Sequence, residues 1–164
     1  MTFVPDHHHA DLGDVRLHYV TAGSGKPIVL LHGWPQTWYM WRDVLPGMMQ
    51  HHRVVAVDLR GLGDSSRPNG GYDTKTVAQD VWRLMHDVLG EERFDVVAHD
   101  WGGALAWGLA AAQPALMQRL VIINSPHPQT FACELQHSPA QQAASAYMNF
   151  LARPDAEALL AEGD

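Results

Sequence analysis

With 164 residues, 46% of them hydrophobic, the chain can bury one core; this excludes an intrinsically disordered protein, and no break in composition divides it. A formal charge of −7 argues against nucleic acid or an anionic membrane as partner, and a single cysteine, Cys133, excludes an intrachain disulfide and suits a reducing compartment. No apolar run approaches the roughly 20 residues of a membrane-spanning helix, and MTFVPDHHHA at the start lacks a basic segment followed by an apolar one, so a soluble cytoplasmic protein is expected.

Residues 7–21 read as a hairpin, with a turn at Asp11-Leu12-Gly13-Asp14 and alternation of Val15, Leu17, Tyr19 and Thr21 against Arg16, His18 and Val20. Neighbouring residues on a strand point to opposite faces, so His7-His8-His9 are not expected to converge on one ion, and neither metal nor cofactor is expected. Gly25-Lys26 has a phosphate-loop look, but Pro27 follows where Ser or Thr is needed and Val20 stands where glycine is needed. Pro27 to Leu31 is apolar throughout and predicts a buried parallel strand ending in His32-Gly33-Trp34-Pro35. Trp38, Trp41, Leu45 and Met48 predict a helix over 37–49, with these side chains in the core. Arg53 to Leu59 predicts the next strand, and its Asp58 leads into a glycine-bearing loop, RGLGDSSRP. A helix is expected from a cap at Asp73 or Thr74, with Val77, Val81, Leu84, Val88 and Leu89 as its apolar stripe and Gly90 as its end.

Phe94 to Gly103, FDVVAHDWGG, is the stretch around which the rest is organised. A β-branched run leads to Asp100, small residues flank it at Ala98 and Gly102, and an Ala-rich helical segment follows to Pro114. Such a strand-to-helix turn lifts the apex side chain out of the sheet beside the free N–H groups of the helix start. An aspartate that merely N-caps its own helix is the plain alternative. Leu120 to Ile123 predicts another buried strand, and the repeated alternation of strand and helix predicts a mostly parallel sheet with helices on both faces.

With His32-Gly33-Trp34-Pro35 upstream and the Asp58 loop between, this turn resembles the nucleophile elbow of the α/β-hydrolases, in the epoxide hydrolase and haloalkane dehalogenase branch that carries aspartate there. The resemblance implies that Asp100 displaces a leaving group from saturated carbon to give an alkyl ester that water cleaves. It implies an oxyanion hole from the backbone N–H groups of Trp34 and Trp101, where charge develops on the ester carbonyl. Gly33 then permits close approach, Pro35 fixes the loop, and His32, His99 and Gly102 support the site structurally. Residues 1–124 correspond to the first part of the core and 125–164 to the start of a helical cap, expected as helices near 129–137, 140–152 and 155–161. In that register Tyr147 matches the first of two ring-opening tyrosines, able to donate its O–H to the developing alkoxide, and Phe150 lies beside the substrate with Trp34, Trp101 and Tyr147. The same side chain read from its helix alone is an aromatic packing a helix.

The resemblance covers the first half or slightly more of a usual family member. The segments carrying the triad acid and histidine lie outside it; only His127 and His137 follow Asp100, both in the cap entry, and Asn124 stands where some dehalogenases place the acid. The expectation is therefore an epoxide hydrolase that is inactive or turns over once in this form. The alternatives are a haloalkane dehalogenase, in which the Trp101 indole holds a departing halide but Trp34 replaces the usual asparagine, and a non-catalytic truncated chain. Trp101 in place of arginine speaks against a fluoroacetate dehalogenase. A small apolar epoxide or alkyl halide is the expected ligand, and Leu120 to Ile123, apolar on both faces, is expected to self-associate as a sheet edge.

Overall fold

The computed structural model describes residues 4–162. A six-stranded sheet runs in the order β1-β2-β4-β3-β5-β6, with β1 Asp6–Asp11, β2 Arg16–Ala22, β3 Lys26–Leu31, β4 His52–Val57, β5 Phe94–His99 and β6 Met117–Ile123. The hairpin β1–β2 joins antiparallel to β4, and β4, β3, β5 and β6 are parallel. This is the α/β-hydrolase arrangement, with the antiparallel pair at one edge.

The continuous apolar character of the central strands follows from a core on each face. Val29, Leu31, Val55, Val57 and Val96 pack with Val77, Val81, Leu84, Leu105 and Leu109 on one side. Ile28, Leu30, Val54 and Ala56 pack with Val20, Trp41 and Leu45 on the other. The first layer holds α2 Thr74–Arg83 and α3 Trp101–Ala112. Asp73 caps α2, accepting from the Thr76 N–H at 3.0 Å.

Several expected elements are interrupted, each for a local reason. The expected helix over 37–49 is a 3₁₀ turn, Trp38–Trp41, followed by the one-turn α1, Leu45–Met48. Pro46 lacks the N–H that would continue the first segment into the second. Beyond α2 the chain widens into a π turn, Leu84–Val88, and the added residue rotates the stripe. Leu84 stays buried while Val88 turns out to 46% exposure. Gly90, at φ 71, closes this segment as expected.

Among the described residues one compact unit runs to Ser125 and a second begins at Pro126. The second contains α4 Pro128–His137, α5 Pro139–Ala144, α6 Ala146–Leu151 and α7 Ala156–Ala161. The expected helix over 140–152 is thus two, broken at Ser145. Among the described residues no helix is long and apolar enough to cross a membrane.

Candidate active site

Asp100 sits between β5 and α3 at φ 51, ψ −120, one of two non-glycine residues at positive φ among those described. That conformation lies outside the left-handed helical well and costs on the order of 1–3 kcal/mol. Surrounding bonds hold it there. The Asp100 N–H donates to the Ile123 carbonyl at 3.1 Å, and its own carbonyl accepts from Gly103 N–H at 2.9 Å.

The neighbouring glycines are required by space. A Cβ on Gly33 would stand 2.5 Å from Asp100 Cβ and 2.6 Å from its Oδ1; one on Gly102 would meet the Leu31 and His32 carbonyl oxygens at 2.6 Å. A Cβ on Gly103 would strike the Ser125 side chain at 2.4 Å. Helix α3 therefore starts tight against the ends of β3 and β6, and the HGWP loop lies against the aspartate.

The Asp100 side chain makes no capping bond to α3. Its Oδ1 instead accepts from the Trp34 N–H at 3.1 Å. The Trp101 N–H, in the first turn of α3 where no intrahelical acceptor exists, makes no hydrogen bond to that carboxylate among the described residues. The structure thus brings Asp100, Trp34 and Gly33 into contact, with the second expected amide adjacent in sequence. Trp34 is 49% exposed and Trp101 half-buried. The Trp34–Pro35 peptide is cis.

His32 is fully buried: its Nδ1–H donates to the Gly33 carbonyl at 2.8 Å and its Nε2 accepts from the Leu59 N–H at 3.1 Å. These partners fix the neutral tautomer, and burial lowers its pKa from the usual 6.5. His99 is half-buried, its Nδ1 having no hydrogen-bond partner among the described residues. Tyr147 and Phe150 lie on α6 in the second unit, Tyr147 at 58% exposure. A cleft of about 480 Å³ between α2 and α3, lined by Lys75, Trp82 and Gln113 among others, shares no residue with this site.

Behind the loop lies a polar hub whose extent is hidden in the sequence. Asp58, buried, accepts from His18 Nδ1 at 2.7 Å, Trp38 N–H at 2.7 Å and Asp64 N–H at 3.0 Å. Two residues on, Arg60 makes a two-pronged pair with buried Asp80, at 2.7 and 2.9 Å, and also reaches Asp14. The Arg60 and Arg83 guanidiniums hold the Asp14 carboxyl far below the usual carboxylate range. Only the glycine-rich loop after Asp58, which holds Asp64, signals this hub, because the other partners lie 20 to 46 residues away.

The family described as "alpha/beta hydrolase fold" matches residues 26–157. The chain belongs to the α/β-hydrolase family. Its similarity runs to the epoxide hydrolase branch: it is 50% identical to a soluble epoxide hydrolase of Corynebacterium sp. (strain C12) over 118 residues, 72% of this chain and 41% of that one. It is 40% identical to epoxide hydrolase 4 of Mus musculus over 144 residues, 85% of this chain and 40% of the relative. The crystal structure of a Bacillus megaterium epoxide hydrolase with an inhibitor superposes at a TM-score of 0.89 and 32% identity, covering 95% of this chain and 55% of that one. This α/β-hydrolase chain thus spans about half or less of the length of these relatives.

Proposed function

We propose that Asp100 is the nucleophile of an epoxide-opening reaction. The observation that carries this is its side chain, which accepts from the Trp34 N–H across the site instead of capping α3. With Oδ1 held by that amide, Oδ2 is the attacking oxygen. It bonds to an epoxide carbon, the carbon–oxygen bond of the ring breaks, and the alkoxide takes a proton from the Tyr147 phenol or from water, leaving a hydroxyalkyl ester. In the second step water adds to the ester carbonyl, and the charge on Oδ1 is met by the N–H groups of Trp34 and Trp101 before the diol leaves. Trp34 and Trp101 beside Asp100 supply apolar surface, which suits a small apolar epoxide.

The second step needs a base to deprotonate water. His127 accepts from the Gln129 N–H at the start of α4, and His137 Nδ1 bonds the Cys133 carbonyl. Ring opening at Asp100 is separable from release of the diol, because only the second step needs that base. Among the described residues β6 is the last strand of the sheet, and the exposed side chains of Val121 and Ile123 leave apolar surface there that a second copy could cover.

The test is intact mass after exposure to an aryl epoxide, in a Cys133→Ser background because the exposed thiol is itself alkylated by epoxides. One adduct per chain, absent in Asp100→Ala and slowed in Tyr147→Phe, supports the reading. An adduct formed only with alkyl halides favours dehalogenase chemistry, and no adduct with either favours a non-catalytic chain.

A further inference from the structure

The hairpin β1–β2 carries a second cluster that hydrolase chemistry does not use. His9 on β1 is the register partner of His18 on β2, and His7, two residues along, shares their face of the sheet. His8 turns to the opposite face, where its ring stacks on Tyr19 and its Nε2 bonds Thr21 Oγ1. Adjacent histidines on β1 do diverge, but the paired strand brings a third imidazole between the two that remain. The ring centroids of His7 and His9 each lie 5.1 Å from that of His18. His7 Nδ1 and His18 Nε2 are 2.9 Å apart.

His18 is prepared from behind. It is 1% exposed, and its Nδ1 faces Asp58 Oδ2 at 2.7 Å, so the Nδ1 proton is committed and the Nε2 lone pair faces outward toward His7. A carboxylate behind an imidazole in this way fixes the tautomer and raises the basicity of metal-binding histidines. Exposed Asp64 adds oxygen: its carboxylate, a His18 ring nitrogen and an Asp58 oxygen all lie within 4.8 Å of one another. His7 and His9 are exposed, so their rings are accessible from solvent.

We propose that His7, His9 and His18 form a site for one divalent transition-metal ion of the zinc type, with Asp64 as the fourth ligand and Asp58 supporting His18. Two imidazole nitrogens on a tetrahedral zinc, each at about 2.0–2.1 Å, stand about 3.3 Å apart, so the His7–His18 pair opens by a few tenths of an ångström to admit the ion. The His7 Nδ1 proton moves to Nε2, and His9 swings in from its place opposite His18. Bound there, the ion would pin the edge strand β1 to β2.

The test is Zn²⁺ titration by calorimetry, with the thermal midpoint followed in parallel and a Co²⁺ spectrum to report geometry. A Cys133→Ser background removes the Cys133–His137 pair on α4 as a competing site. The expected result is one equivalent of Zn²⁺ bound at micromolar concentration, a midpoint that rises with Zn²⁺ and returns with chelator, and a tetrahedral Co²⁺ spectrum. His7→Ala and His9→Ala should each weaken binding at least tenfold, whereas His8→Ala, on the other face, should leave it unchanged. Absence of binding below millimolar Zn²⁺, or binding that survives the His7→Ala/His9→Ala double substitution, would overturn the proposal.

Discussion

The Trp34 N–H and the Asp100 carboxylate, 66 residues apart in the chain, meet over 3.1 Å with only the bare Cα of Gly33 between loop and aspartate. Gly33→Ala inserts a methyl 2.5 Å from Asp100 Cβ, and neither backbone can yield without moving β3 or β5. A displacement approaching 1 Å at a reacting group costs on the order of a hundredfold in rate. Ester formation in Gly33→Ala should therefore fall by about that factor while the circular dichroism spectrum is retained; a rate within threefold of the parent would contradict this placement.

The backbone of Asp100 stores strain, which the proposed nucleophile role would explain and stability alone would not. Glycine adopts φ 51, ψ −120 without a Cβ penalty, though it gains up to about 1 kcal/mol of chain entropy in the unfolded state. Set against strain of about 1–3 kcal/mol, the balance favours the variant. Asp100→Gly is expected to unfold in urea at or above the parent midpoint and to form no ester. A clearly lower midpoint would mean that the aspartate is held for structural reasons.

Much of this arrangement could be read in advance from local pattern, and the exceptions share a cause. The apolar residues of 28–31 and of 94–98, Asp95 apart, are buried or nearly so on both faces, so they announce strands without any need of partners. The small residues around Asp100 announce the turn, because the Leu31 and His32 carbonyls and Ser125 press on Gly102 and Gly103. What escaped notice depends on distant pairing or on one residue's backbone: the π turn that exposes Val88, the break at Pro46, and His18, whose neighbours His7 and Asp58 lie 11 and 40 residues away. Arg60 is likewise silent in the sequence, since Asp80 and Asp14 approach it only once α2 and the hairpin are in place.

Arg60 and Asp80 are both 2% exposed at the side chain and form a two-pronged pair. Breaking such a pair leaves a buried charge and costs about 3–5 kcal/mol, whereas replacing both members with apolar groups is often neutral. Arg60→Met should thus lower the urea midpoint sharply, and Arg60→Met/Asp80→Leu should recover most of the loss. Equal and additive losses in the two single variants and the double would exclude a coupled pair.

His32 should make stability depend on pH. Its folded pKa lies below 6.5, so the folded protein prefers the neutral ring while the unfolded chain takes up a proton near 6.5. The contribution is complete above that pH and is lost as pH falls through 6.5 toward the lower folded value. A protonated Nε2 would also oppose the Leu59 N–H that it now accepts from. His32→Ala should cost about 1–3 kcal/mol at pH 7.5, and the gap to the parent should narrow by pH 5.5. A gap independent of pH, measured by urea unfolding, would rule out titration of this ring.

The most direct test is where the label lands. After reaction with an aryl epoxide in the Cys133→Ser background, trypsin releases residues 94–119 as one peptide, which contains two carboxylates, Asp95 and Asp100. Fragmentation is expected to place a hydroxylamine-cleavable ester on Asp100 alone. An ester on Asp95, a modification stable to hydroxylamine, or an unmodified peptide would contradict the nucleophile assignment.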